Sequence, residues 1–220
     1  MYRCCIFDLD GTLLNTLSSL TYSVNQMLKH FGYPEVDQDH IKTFVGDGYK
    51  MLVERVLKYS GDADLAHYEE GLKVYREKFG RYSMHEVKPY DGIGELLKGL
   101  KERKLMLAVL SNKPHAKAVE NIEAVFGKGY FDYVVGECPE IPKKPDPAGV
   151  VRILDTLQVK ARECLYFGDT DTDMKTGLGA GLTTVGVTWG FREREELESY
   201  CPQYVIDRPK EVFEKILEKF

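Results

Sequence analysis

Two aspartates stand one residue apart where an apolar run ends, in Ile6-Phe7-Asp8-Leu9-Asp10-Gly11-Thr12-Leu13. If extended geometry persists past Phe7, residues two apart project to one side, and the two carboxylates share a space. Gly11 permits a tight turn with close backbone approach, and a helix beginning beyond Thr12 would offer free N–H groups to an anion. A second set of acids, Phe167-Gly168-Asp169-Thr170-Asp171-Thr172-Asp173, again closes an apolar run. Between the two sets, Leu110-Ser111-Asn112-Lys113 supplies hydroxyl and amide donors. Lys143-Lys144-Pro145-Asp146-Pro147 supplies a lysine whose backbone the following proline restricts to extended geometry.

Each piece has a plainer reading. A calcium loop fits neither acidic cluster. Gly11 comes too early and follows a strand pattern, while the second run has Met174 where an EF-hand needs glycine and Ala180 where it needs glutamate. Taken alone, Asp169–Asp173 also suits a helix cap worth about 1 kcal/mol. A strand-end Ser-Asn suits a turn, and a Lys-Lys pair suits a solvated surface. Together they point elsewhere. Carboxylates within about 4 Å repel by about 4 kcal/mol per pair at an effective dielectric near 20. Asp8, Asp10 and Asp169 at one sheet edge would therefore need a divalent cation. All-oxygen ligands favour Mg²⁺, which keeps waters and shares a phosphate. Ser111, Asn112 and Lys144 are the donors such a phosphate requires. A metal, a phosphate and a carboxylate describe phosphoryl transfer.

Positioning these groups takes several strands ending at one edge. Cys4–Leu9, Leu105–Leu110, Tyr133–Val135, Leu165–Phe167 and Thr183–Val187 read as short buried strands. Helical patterns lie between them at Gly94–Arg103, Pro114–Phe126, Pro147–Leu157 and Asp173–Ala180, and a closing helix is expected over Pro209–Phe220. This alternation predicts an α/β protein with a doubly wound parallel sheet covered on both faces. From Leu14 to His85 the alternation gives way to helices, Leu17–Phe31, Tyr49–Tyr59 and Ala63–Tyr82, with pairs such as Val53/Leu57 at helical spacing. The expected division is a core of residues 1–14 plus 86–220 and an inserted helical module of residues 15–85.

Composition bounds the function. The chain has 220 residues, a net charge of −5, 43% hydrophobic and 30% charged residues, which suits a soluble globular protein of one domain and an insertion. A mildly acidic balance gives no support to a nucleic-acid partner, and the apolar runs are too short for a membrane span. Met1-Tyr-Arg-Cys-Cys-Ile-Phe leads straight into Asp8, so no secretory leader is expected. Five cysteines in no CxxC pair, and five histidines at no ligand spacing with them, argue for reduced thiols in a cytoplasm and against structural zinc.

The ordered set Asp8-x-Asp10-Gly11-Thr12, Ser111, Lys144-Pro145 and Gly168-Asp169-x-x-x-Asp173 resembles the haloacid dehalogenase-like superfamily of phosphohydrolases over nearly the whole chain. The helical insertion resembles that superfamily's α-helical cap on a Rossmann-like core. Val45-Gly46-Asp47-Gly48 and Gly186-Val187-Thr188-Trp189-Gly190-Phe191-Arg192 resemble phosphoglycolate phosphatases. The resemblance implies that Asp8 is a nucleophile forming an aspartyl-phosphate and that Asp10 is the acid and then the base. Mg²⁺ would be held by Asp8, Asp169 and the Asp10 backbone carbonyl, with Asp173 either ligating it or supporting a residue that does. Ser111, Asn112 and Lys144 would bind the phosphoryl group. The loop Gly46-Asp47-Gly48 would approach the substrate, although a helix-entry turn explains it as well.

The implied substrate is a small phosphorylated metabolite, 2-phosphoglycolate first, and the protein a monomer or homodimer. An inorganic pyrophosphatase and a phosphomutase of the β-phosphoglucomutase type are the alternatives within the superfamily, and a receiver-type signalling domain is the alternative outside it. Dehalogenases lack an acid at the Asp10 position and receivers carry adjacent acids, so both fit less well. Asn15 departs from the aspartate that many relatives carry there.

Overall fold

The computed structural model describes residues 1–217, and the contacts divide them into two compact units, Met1–Leu14 with Pro89 onward, and Asn15–Lys88. The second boundary falls three residues beyond the expected one. In chain order the elements begin with β1 (Cys4–Phe7), β2 (Leu14–Asn15), α1 (Leu17–Phe31), α2 (Gln38–Phe44), α3 (Tyr49–Tyr59), α4 (Tyr68–Tyr82) and β3 (Lys88–Pro89). They continue with α5 (Ile93–Glu102), β4 (Met106–Pro114), α6 (His115–Phe126), β5 (Tyr133–Glu137), α7 (Ala148–Leu157), β6 (Cys164–Gly168), α8 (Asp171–Gly179), β7 (Thr183–Val187), α9 (Arg194–Ser199) and β8 (Tyr204–Ile206).

The first unit is built on a six-stranded sheet ordered β5-β4-β1-β6-β7-β8, parallel throughout. This is the expected doubly wound α/β sheet. From β1 the chain fills one side through β4 and β5, then returns to the other side of β1 with β6. That reversal makes the carboxyl end of β1 the switch point, where the loops diverge and leave a crevice for a ligand. Register brings the site motifs level: Phe7 is opposite Val109 of β4 and Phe167 of β6. Asp8, Ser111 and Asp169 therefore leave one edge of the sheet.

Every residue of β1 and β6 is buried, as a strand covered on both faces requires. On one face Cys4, Ile6, Ala108, Leu110, Cys164 and Tyr166 pack with Val150 and Ile153 of α7. On the other, Phe7 stacks on Phe167 with ring centroids 4.7 Å apart.

Sequence and structure differ at several ends. The strand expected to stop at Leu110 runs to Pro114, with a register shift against β5 after Leu110. The helix expected from Ala63 begins at Tyr68, because the Asp62 carboxylate accepts from the N–H groups of Ala66 and His67 and holds the intervening residues in a turn, with Leu65 left-handed at φ 57°. Conversely α8 begins two residues before Asp173, since Thr170 and Asp173 form a reciprocal cap. Short α2, α9 and β8 went unforeseen. The expected closing helix over Pro209–Phe220 is a π-helical turn over Val212–Leu217, with residues 218–220 outside the described residues. No helix among the described residues is long and apolar enough to cross a membrane.

The second unit is helical. Helix α4 packs on α1 and α3 around Val24, Met27, Val53, Leu57 and Tyr75, all essentially inaccessible to solvent. Close approach depends on Gly71, where a Cβ would lie 3.3 Å from Leu57 and 3.4 Å from Val53. Gly71→Leu is expected to overpack this junction and destabilise the unit by about 1–3 kcal/mol, read as a lowered thermal midpoint. An unchanged midpoint would show that the helices separate freely there.

Candidate active site

Asp8 is the first residue past β1, and its backbone N–H still donates to the Phe167 carbonyl at 2.9 Å, so it is held as if the strand continued. Its carboxylate accepts from the Lys144 ammonium at 2.7 Å. Lys144 reaches it from the loop before α7. Both ends of the Asn112 amide fix that loop, Oδ1 accepting from the Lys144 N–H at 2.8 Å and Nδ2 donating to the Lys144 carbonyl at 3.1 Å. Asn112, expected to meet a phosphate, thus grips the main chain of the residue that carries the charge.

The Lys144 ammonium also donates to Asp173 Oδ1 at 2.7 Å, and the Tyr166 hydroxyl donates to the same oxygen at 3.0 Å. The other oxygen of Asp173 accepts from the Thr170 hydroxyl at 2.7 Å and the Thr170 N–H at 3.1 Å. One oxygen of Asp173 thus caps α8 while the other faces the lysine.

Asp169 is fully buried and braced from behind. The Thr12 hydroxyl donates to Oδ1 at 2.7 Å and the Phe191 N–H to Oδ2 at 2.8 Å, while the Trp189 indole N–H donates to the Thr12 carbonyl at 3.0 Å. A Cβ at Gly11 or Gly190 would overlap the Asp169 side chain, and one at Gly190 would also overlap the Gly11 carbonyl oxygen. The Thr188–Arg192 segment, noted in the sequence only as a likeness, is physically the rear wall of Asp169.

Asp10 stands apart. Strand β1 stops at Phe7, and the two carboxylates are paired with different lysines, Asp8 with Lys144 and Asp10 with Lys113. Asp10 Oδ1 accepts from the Lys113 ammonium at 2.8 Å. The Ser111 hydroxyl oxygen accepts from the Lys113 N–H at 3.2 Å. In the helical unit, Gly46 and Gly48 take positive φ, Gly48 caps α3, and Asp47 is paired with Arg55 at 2.5 Å. Sequence reasoning missed Lys113, Tyr166, Thr170 and Trp189 as supports. Tyr166 lies within an apolar strand and reads as core, and Lys113 meets a partner 103 residues away.

Electrostatics leave this cluster wanting positive charge. Asp8, Asp169 and Asp173 can each offer a carboxylate oxygen within 4.8 Å of the others, all buried, with the Lys144 ammonium paired to Asp8 and Asp173. Burial, followed by the charge of Asp173, pushes the Asp8 carboxyl well above the usual carboxylate range despite Lys144. Burial and then Asp173 push Asp169 up to about 7, with the Thr12 and Phe191 hydrogen bonds opposing. For Lys144, burial alone would lower the ammonium, but the charges of Asp173 and Asp8 hold it well above its usual value. A surplus of buried carboxylate with oxygen-only donors fits a hard divalent cation.

The comparisons agree with this geometry. A family model described as haloacid dehalogenase-like hydrolase matches residues 5–187. Phosphoglycolate phosphatase from Aquifex aeolicus is 32% identical over 210 residues, covering 96% of this chain and 94% of its own. Phosphoglycolate phosphatase from Colwellia psychrerythraea is 32% identical over 207 residues, covering 92% and 91%. A crystal structure from Lactobacillus delbrueckii subsp. bulgaricus superposes with a TM-score of 0.92 at 29% identity and 98% coverage of both chains. A haloacid dehalogenase-like family hydrolase from Streptococcus pneumoniae does so at 0.84, 26% and 97%. The chain belongs to the haloacid dehalogenase-like hydrolases. Within them it is phosphoglycolate phosphatase-like, an enzyme of the phosphoric monoester hydrolase class.

Two predictions follow from the bracing of Asp169. Gly190→Ala, which drives a methyl into Asp169 and the Gly11 backbone, is expected to weaken divalent-cation binding at least about tenfold by titration calorimetry. Unaltered binding would refute the rear-wall role. The second concerns pH. Folding raises Asp169 from 3.8 to about 7, so the folded state favours the protonated acid. Its contribution is favourable below the unfolded value and is lost as pH rises through the folded one. The metal-free protein should lose thermal stability between about pH 4 and 7, with a shallower loss in Asp169→Asn. Equal slopes would count against this assignment.

Proposed function

We propose that the protein is a Mg²⁺-dependent phosphatase that hydrolyses a small phosphate monoester, 2-phosphoglycolate first, through an aspartyl-phosphate on Asp8. The observation that carries this reading is the separation of two neighbouring carboxylates onto two lysines, Asp8 on Lys144 and Asp10 on Lys113. A nucleophile and a proton carrier need different surroundings, and these have them.

Asp8 attacks phosphorus in line with the ester oxygen and takes the phosphoryl group. Asp10 gives a proton to the departing alkoxide, then accepts one from the water that hydrolyses the acyl-phosphate. Lys144 and the Ser111 hydroxyl bind phosphoryl oxygens, and Asn112 holds Lys144 to its task through the main chain. Asp8, Asp169 and the Asp10 carbonyl would hold Mg²⁺, with Asp173, whose oxygens already accept from Lys144, Tyr166 and Thr170, anchoring the lysine beside it. Bound there, the cation supplies positive charge against the transferring oxygens. A small phosphorylated metabolite as sole partner, a cytoplasmic setting and a monomer or homodimer complete the proposal; the five unpaired cysteines support the setting.

A panel of phosphate monoesters and pyrophosphate, read as released phosphate with Mg²⁺ and with chelator, tests the proposal. Expected are turnover only with Mg²⁺, preference for 2-phosphoglycolate, phosphate release without any bisphosphate activator, and a loss of at least about 10³-fold in Asp8→Asn. Preference for another substrate by tenfold or more in kcat/KM would overturn the choice of ester, and full activity in Asp8→Asn the nucleophile.

A further inference from the structure

A second buried lysine has no task in that scheme. Lys113 has 3% of its side chain exposed, and its ammonium lies 2.8 Å from Asp10 Oδ1. Burying an ammonium is costly even when it is paired, and an apolar residue would fill the same slot at less expense. Its main chain is fixed on both sides. The Lys113 N–H donates to Ser111, and Gly136 of β5 lies so near that a Cβ there would come within 2.8 Å of the Lys113 carbonyl. Asp10 sits beyond the end of β1 in the turn that leads to β2, where the neighbouring Leu9 carbonyl and Gly11 N–H are bonded to Leu13 and Leu14 and fix its backbone. Its side chain, 19% exposed, is a separate matter. A partly exposed carboxylate on a turn samples several rotamers unless something holds it.

We infer that Lys113 is a positioning residue for Asp10: anchored on the end of β4, it holds that carboxylate in the orientation that meets the leaving-group oxygen. The inference rests on the phosphatase reading above. Misplacing a proton carrier by about 1 Å can cost about 100-fold, and only in steps that need its proton.

The leaving group supplies the test. An alkoxide such as that of glycolate must be protonated as it departs, whereas p-nitrophenolate departs without a proton. Lys113→Met keeps the aliphatic stem and removes the charge and the donor. With Mg²⁺ present, its kcat/KM, which reports the steps through alcohol release and not the shared hydrolysis of the aspartyl-phosphate, is expected to fall at least about 30-fold on 2-phosphoglycolate and less than about threefold on p-nitrophenyl phosphate. Combined with Asp10→Asn, it should cost almost nothing more than Asp10→Asn alone, since both act on one group. Lys113→Gln, which keeps a donor, should show the same bias to a smaller degree and stands in if Lys113→Met does not fold. Equal losses of kcat/KM on both esters, no loss, or additive losses in the double variant would overturn the inference. A wild-type protein that cleaves neither ester would instead fail the phosphatase reading itself.

Discussion

The structure depends on one ammonium placed between two buried carboxylates. Lys144 bridges Asp8 and Asp173 at 2.7 Å each, at the point where the sheet reverses direction. Removing either acid, or the lysine, would leave buried charge without its partner, which is the expensive failure of such pairs. Everything nearby serves that arrangement. Asn112 fixes the loop that delivers the lysine, Tyr166 and Thr170 satisfy the rest of Asp173, and the level ends of β1 and β6 bring Asp8 and Asp169 to a single edge. Lys144 pairs with Asp8 and Asp173, and Asp169 adds a third buried carboxylate to the cluster. A fold that neutralised the cluster by itself would have no use for a divalent cation, and little affinity for one.

Much of this was legible in the sequence because it obeys short-range rules. Apolar strand runs ending in Asp8 and Asp169, and Ser111 at the end of a third, state both the sheet and the edge at which these residues gather. Leu17–Phe31 and Tyr49–Tyr59 agree residue for residue with α1 and α3, since their helical periodicity is unbroken. What could not be read is of two kinds. Side-chain caps shift ends: Asp62 delays α4 and the Thr170–Asp173 pair advances α8, each by a bond that periodicity does not register. Long-range polar pairs are silent altogether. Nothing about Lys113 or Trp189 announces Asp10 or Thr12 as its partner, because those bonds exist only once the strands are aligned.

The site also shows how a single residue can belong to two levels of structure. Asp173 ends the loop after β6 by capping α8 and at the same time anchors Lys144. Helix start and the charge of the acidic cluster are thereby linked, so α8 cannot fray at its first turn without loosening the ammonium that faces Asp8.

Trp189 gives this architecture an optical handle. It is the only tryptophan in the chain, and its indole N–H is bonded to the carbonyl of Thr12, whose hydroxyl holds Asp169. Indole emission is sensitive to hydrogen bonding and to nearby charge. The tryptophan emission, excited apart from the fourteen tyrosines, therefore originates at one spot, against the loop that carries Asp8, and any event that moves that loop is written into it.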